Sequence, residues 1–294
     1  MRRLIFSISI VYIFTVFIGN SDVNAQSSDV LDGIYEKEHV PARKPIPYHH
    51  LREADMMWTK KIWRILNLKE KINHPLYYPK ETPIGDRMSL IDLLLWGVNN
   101  QGLTAYDEAD GDEFATVMTI SDIEERFDAK ADTNWVEDIE TGELTPVPIE
   151  GEIYSREVKY FLVKELWFFD KQRSVMDVRI IGLCPIREYS KNEDADIEGS
   201  GTEQMSKVKL FWIYFPEARK ILASHEVFNP YNDAERMSFD DLFFKRFFSS
   251  YIVQESNSYN NRAISEYTIG LESLLEAERI KESIFNFEQD LWVY

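Results

Sequence analysis

The sequence contains one cysteine, Cys184, so no internal disulfide can brace the fold and stability has to come from packing. Set between Leu183 and Pro185 at the end of an apolar run, that cysteine is expected to be a buried strand residue rather than a reactive thiol. Histidines are scarce as well: His39, His49, His50, His74 and His225. None stands in an H-E-x-x-H arrangement or beside the cysteine, which argues against a zinc site. No G-x-x-x-x-G-K-[ST] loop occurs to cradle a phosphate, and Gly199-Ser200-Gly201 is a linker signal rather than the G-x-S-x-G of a nucleophile elbow. After residue 18 no apolar segment is long enough to cross a bilayer. Cations are in the minority, 33 Lys and Arg against 51 Asp and Glu, and this disfavours nucleic acid as a partner.

What is present begins with an export signal. Arg2 and Arg3 precede the apolar run Leu4 to Ile18, and Val23-Asn24-Ala25 supplies the small-residue pattern that a signal peptidase recognises before Gln26. Residues 1–25 are expected to be removed, leaving no cysteine at the new terminus to accept a lipid and no direct membrane span. The expected product is periplasmic. Residues 26–50 read as an extended arm, because Pro41, Pro45 and Pro47 forbid a helix and suit a polyproline-like course. The remainder, 51–294, is expected to be a single α+β domain, with a division into two half-units near 130–155 left open. An apolar fraction of 44%, with 14% aromatic, is enough to give it a real core.

The centre of that core is the stretch Val158 to Pro185. Val158 to Phe169 is rich in β-branched and aromatic residues, Asp170 to Ser174 is a polar turn, and Val175 to Leu183 is a second apolar strand that Pro185 should end. Tyr160, Leu162, Leu166 and Phe168 alternate with Phe161, Val163, Trp167 and Phe169, so both faces of this hairpin need cover. Phe161, Trp167, Phe169, Val178 and Ile180 are its candidate core residues. Lys207 to Phe215 supplies a third strand, and the expected fold class is α+β, an antiparallel meander over about 158–215 covered by helices.

Helices are expected over Arg52 to Leu66, from the Ser89 cap through Val98, over Ser121 to Phe127, from the Ser238 cap through Phe248, and over Leu271 to Phe287. In the last of these Leu274, Leu275, Ile284 and Phe285 form the apolar face. Asn73 to Pro83, Thr133 to Glu152 and Tyr189 to Ser206 read as irregular. Met237-Ser238-Phe239-Asp240-Asp241-Leu242 echoes Met88-Ser89-Leu90-Ile91-Asp92-Leu93, which raises the question of an internal duplication.

Charge is unevenly spread. From Lys37 to Lys80 ten basic residues face four acidic ones, whereas Tyr106 to Glu157 carries seventeen carboxylates against three cations. The plain reading is solubility, and the sharper one is that the basic end of one copy meets the acidic middle of another. Placing Gly111 at the sixth position of a calcium loop puts Tyr106 first and Val117 twelfth, and neither can supply the needed carboxylate. An irregular calcium site stays open. The seven tryptophans could stack on sugars, but Trp167 and Trp212 lie on expected strands and Trp58 and Trp63 on a helical pattern, which favours core or interface.

Several segments carry a resemblance: Pro41-Ala42-Arg43-Lys44-Pro45-Ile46-Pro47-Tyr48, Leu51-Arg52-Glu53-Ala54-Asp55, Ile72-Asn73-His74-Pro75-Leu76-Tyr77-Tyr78-Pro79, and the hairpin Trp167 to Gly182. Together they resemble the GldN/PorN family from about Gly33 to the carboxyl end. The resemblance implies a non-enzymatic periplasmic subunit of the type IX secretion and gliding-motility machinery of Bacteroidota. It implies self-association in a ring with a GldK/PorK-type lipoprotein under the outer membrane, engaged by the periplasmic part of a GldM/PorM-type motor. No cofactor is implied. The arm residues Pro41, Arg43, Lys44, Pro45, Pro47, Tyr48 and Arg52 are the candidate partner-binding set. The alternative is a periplasmic glycan- or peptide-binding protein or hydrolase, suggested by the abundance of aromatic and carboxylate side chains.

Overall fold

The structure is a computed structural model that describes residues 40–291, apart from 81, 85–86, 110–111, 130–131, 138–143, 150–152, 191–204 and 233. The expected signal peptide, residues 1–25, and the first part of the expected arm therefore lie outside the described residues. His39–Tyr294 form one compact unit. Its strands are β1 (Met56–Asn67), β2 (Ala105–Tyr106), β3 (Asp132–Glu137), β4 (Leu144–Ile149), β5 (Val158–Asp170), β6 (Val175–Ser190), β7 (Met205–Lys209), β8 (Trp212–Tyr214), β9 (Glu226–Val227), β10 (Met237–Ser238) and β11 (Ser250–Glu255). Its helices are α1 (His74–Tyr77), α2 (Leu90–Gln101), α3 (Ile120–Arg126), α4 (Phe215–Ser224), α5 (Phe239–Phe244) and α6 (Leu271–Asp290).

The fold is α+β, built on an antiparallel sheet in the order β11-β1-β5-β6-β8-β2, with β7 also paired to β6. The expected hairpin is its centre: β5 and β6 pair from Val158↔Arg187 to Asp170↔Val175, and Ser174 closes the turn with a positive φ of 51°. β6 outruns the expected stop at Pro185 and continues to Ser190. Within a strand the N–H and C=O of one residue point to the same side, and the Pro185 carbonyl accepts from the Leu210 amide at 3.0 Å, in the break between β7 and β8. The missing N–H thus falls in that break and removes no rung from the β5–β6 ladder.

Four further expectations are corrected. Arg52 to Leu66 is not a helix; after a short 3-10 turn at Glu53–Asp55 it is β1, paired with β5 on one side and β11 on the other. A strand covered on both faces loses its alternation, and with Ile62 and Trp63 both buried the pattern imitates a helix. Thr133 to Glu152 is not one loop but contains the β3–β4 pair, in which Pro146 and Pro148 are tolerated because each strand of a two-stranded sheet has a free edge. Asn73 to Pro83 begins with a helical turn, α1, in which Pro75 occupies the first turn where no N–H is needed. The third strand breaks at Leu210 and Phe211, both fully buried, and Phe215 opens α4.

The caps behave as expected in kind. Ser89 accepts a hydrogen bond from the Asp92 amide, and Ser238 and Asp241 form a capping box. Thr119 and Asp122 do the same for α3, so Thr119 rather than Ser121 opens that helix. The Met88/Met237 echo is thus a capping solution used three times. α5 is shorter than expected, ending at Phe244, so Phe247 and Phe248 lie beyond it.

Three clusters of buried residues show how the sheet is covered. Phe161, Val163, Ile180 and Leu183 pack with α2, α4 and α5. Ile62 and Ile252 pack with Ala277, Ile280 and Ile284 of α6, with Trp58 and Trp167 at the margin. Tyr160, Leu162, Cys184 and Trp212 form the third, and its cover is not a helix: Tyr106 and Phe114 of the acidic stretch lie over it. Gly182 makes that cover possible, since a Cβ there would lie 2.6 Å from Phe114 Cζ. Of the candidate core residues, Phe161 and Ile180 are buried, while Trp167, Phe169 and Val178 are only half-buried toward the turn end of the hairpin.

Candidate interaction surfaces

The arm folds back on its own domain. From Pro45 to His50 it has neither helix nor strand, and it is held by side chains from three elements remote in sequence. Arg43 pairs with Asp241 of α5, and Arg219 of α4 donates from Nη2 to the Ile46 carbonyl at 2.7 Å. Tyr48 lies against two guanidinium groups, with Arg219 4.1 Å and Arg179 5.0 Å from its ring centre, and it stacks on Phe244 at 6.4 Å. Arg179 also donates to the His49 carbonyl. Burial raises the Tyr48 phenol above its usual range; the Arg219 and Arg179 cations oppose this, and the Asp240 and Asp177 carboxylates reinforce it.

The seat is rigid because Arg219 is itself anchored. Its Nε and Nη2 donate to Asp240 Oδ1 and Oδ2 at 2.7 and 2.9 Å, a two-point pair with both side chains almost fully buried. Of the candidate arm residues, the structure gathers Arg43 and Tyr48 at this seat. Pro41, Lys44 and Pro47 stay exposed and Pro45 is half-buried; Arg52 donates to neighbouring Asp55 at 2.8 Å and takes no part. Arg219, Asp240, Phe244 and Arg179 were not singled out from sequence. Nothing in their spacing relates them to the arm, and Asp240 read simply as a residue in the first turn of a capped helix.

Among the described residues of the acidic stretch, five carboxylates are ion-paired within the chain. Asp112 takes Lys164 Nζ at 2.9 Å and the Trp63 indole N–H at 2.6 Å, while Arg187 donates to Glu157 at 2.6 Å and Asp128 at 2.8 Å. Glu108 meets Lys209 at 2.6 Å, and Asp107 meets Arg126. Charge also balances locally at the basic end, where Lys60 pairs with Glu255 at 2.6 Å and Lys69 with Glu188 at 2.7 Å. Lys44 and Lys61 have no ion pair among the described residues. Also among the described residues, no group of three or more His, Cys, Asp and Glu side chains is placed to hold a metal.

The four indoles placed on expected strands or helices, Trp58, Trp63, Trp167 and Trp212, are buried or half-buried. Trp58 and Trp63 stand on β1 rather than on a helix, Trp63 and Trp212 are buried, and Trp58 stacks on Phe287 at 4.8 Å. Trp167 donates to Glu165 Oε2 at 3.0 Å, and the fully buried Glu165 also holds Arg246 at 2.9 Å. Cys184 has no exposure, and desolvation lifts its thiol to about 12.

The last helix differs from expectation in its outer face. Its inward residues are Ala277, Ile280 and Ile284, while Leu274, Leu275 and Phe285, expected in the core, point to solvent together with Leu271 and the preceding Ile269. These five side chains are 57% to 88% exposed.

Residues 51–293 match the family model described as "Gliding motility associated protein GldN". The chain belongs to the GldN family. The match covers the whole sheet and all six described helices, and begins just after the seated arm. No curated protein matches the chain. No described helix is long and apolar enough to cross a membrane.

Proposed function

We propose that this GldN-family protein is a non-catalytic structural subunit of the type IX secretion and gliding-motility machinery. In this reading it works in the periplasm, self-associates into a ring with an outer-membrane lipoprotein of GldK/PorK type, and passes force from a GldM/PorM-type motor toward the translocon. The family match over residues 51–293 carries the reading. The export signal expected from residues 1–25 supports it, and so do the exposed apolar side chains Leu271, Leu274, Leu275 and Phe285 carried by one helix. A rigid sheet with ion-paired cover is suited to bearing load rather than to turnover.

The test is deletion and complementation. Loss of the gene should abolish both gliding and secretion of type IX cargo, and the tagged chain should copurify with a lipoprotein from detergent-treated envelopes. Normal secretion in the deletion strain, or a chain recovered free of any envelope partner, contradicts the proposal.

A further inference from the structure

Two exposed apolar patches of opposite rim charge stand out on the molecule. The first joins the arm to the end of α5. Arg43 meets Asp241, and Phe244 lies one turn further along the same helix, where it stacks on Tyr48. This sets Ile46, Phe244 and Phe247, each half exposed or more, beside Lys44 and Lys245. Lys245 Nζ stands 5.9 Å from the Phe247 ring, and neither lysine has an ion pair among the described residues. The second patch is the outer face of α6, where Ile269, Leu271, Leu274, Leu275 and Phe285 are interleaved with Glu272, Glu278 and Glu282. Glu278 meets Lys281 at 2.9 Å, while Glu272 and Glu282 are exposed and have no cation partner among the described residues.

The geometry points to a head-to-tail contact between copies of this chain, in which the basic arm–α5 patch of one copy seats on the acidic outer face of α6 of the next. Each patch is apolar at its centre and carries one sign of unpaired charge at its rim, so the two complement each other, whereas either facing its own kind would set like charges together. A contact between unlike patches continues from copy to copy and closes into a ring or runs on as a filament. The helix lends itself to such docking because its inward residues are fixed against β11 and the sheet, which holds the exposed outer face in place. Seating the arm on its own domain preorganises the first patch, which lowers the entropy lost on docking.

The inference rests on the self-association proposed above, and its test separates the two. A photo-crosslinking residue is placed at Leu275 in the full chain, expressed in cells that assemble the complex. The expected product is a dimer of the chain whose cross-linked peptide contains Phe244 to Phe247. A cross-link to a different protein, to a different part of a second copy, or no cross-link within an intact multi-copy complex overturns this contact and leaves the ring standing. Recovery of one copy per complex overturns both. A second arm uses charge: Glu272→Lys with Glu282→Lys, and separately Lys44→Glu with Lys245→Glu, should each weaken self-association about tenfold or more. Mixing the two variants should restore association, since the unchanged arm of the first then faces the unchanged α6 of the second. Self-association equal to wild type in either variant contradicts the contact.

Discussion

Arg219 and Asp240 form a buried two-point ion pair, and the same guanidinium reaches the Ile46 carbonyl and covers the Tyr48 ring, so one residue of α4 both joins two helices and fixes the arm. Removing either partner leaves the other charge buried without compensation. Asp240→Ala is therefore expected to cost about 3–5 kcal/mol and to lower the melting temperature sharply. Tyr48→Ala should cost less, about 1–2 kcal/mol for a half-buried ring, while releasing the arm. Limited trypsin digestion reads this directly: cleavage after Arg43 should speed up in Tyr48→Ala while the domain stays intact. Equal cleavage rates would show that Tyr48 does not hold the arm.

The two ends of the central hairpin should respond unequally. Phe161 is fully buried among core residues, so Phe161→Ala is expected to cost ~3–5 kcal/mol. Phe169 and Val178 are half-buried near the turn, so Phe169→Ala should cost about half as much or less. Denaturant midpoints of the two variants decide the matter, and equal losses would mean the turn end is as tightly packed as the centre.

Gly182 has a steric reason to be glycine. A Cβ at that position would also stand 3.1 Å from Trp212 Cε3, in addition to its clash with Phe114, so Gly182→Ala must displace the Phe114 ring from the sheet. The expected loss is ~1–3 kcal/mol, with a change in near-ultraviolet signal as Trp212 becomes less well packed. Adding Phe114→Ala should relieve the clash and make the two losses less than additive. Strict additivity contradicts the contact.

Cys184 provides a pH-dependent prediction. The thiol titrates at 9.0 when solvated but at about 12 in the folded chain, because burial disfavours the thiolate. Its contribution to stability is thus complete below pH 9.0 and is lost as pH rises toward 12, since only the unfolded state gains by ionising. Cys184→Ala is expected to cost about 1 kcal/mol near pH 7. That cost should shrink, and then reverse, in unfolding measurements carried into the alkaline range. A pH-independent difference, or rapid thiol labelling of the native protein, contradicts the buried assignment.

How much of this was legible in the sequence differs by element. The β5–β6 hairpin could be read from two β-branched and aromatic runs about a polar turn, α2 from its Ser89 cap, and α6 from the length of its helical pattern. β1 could not, because a strand flanked by β5 and β11 and covered on both faces shows Ile62 and Trp63 side by side where alternation would place one outside. Pro185, Pro146 and Pro148 read as breakers, yet Pro185 stands where a missing N–H removes no rung, and Pro146 and Pro148 lie in a two-stranded pair whose strands each have a free edge. α6 was located correctly but faced wrongly: Leu274, Leu275 and Phe285 look like core by composition, and only the packing of Ala277, Ile280 and Ile284 reveals that a smaller face turns inward. The seat of the arm was invisible because its residues come from β6, α4 and α5, brought to Tyr48 by the sheet and not by any local pattern.

The most direct measurement of the central claim is the mass and copy number of the assembly that contains this chain, extracted gently from envelopes and measured by sedimentation and particle imaging. The account predicts a large closed assembly with many copies of the chain and a lipoprotein partner. A monodisperse particle of the mass of one chain, recovered from cells with active secretion, would contradict it.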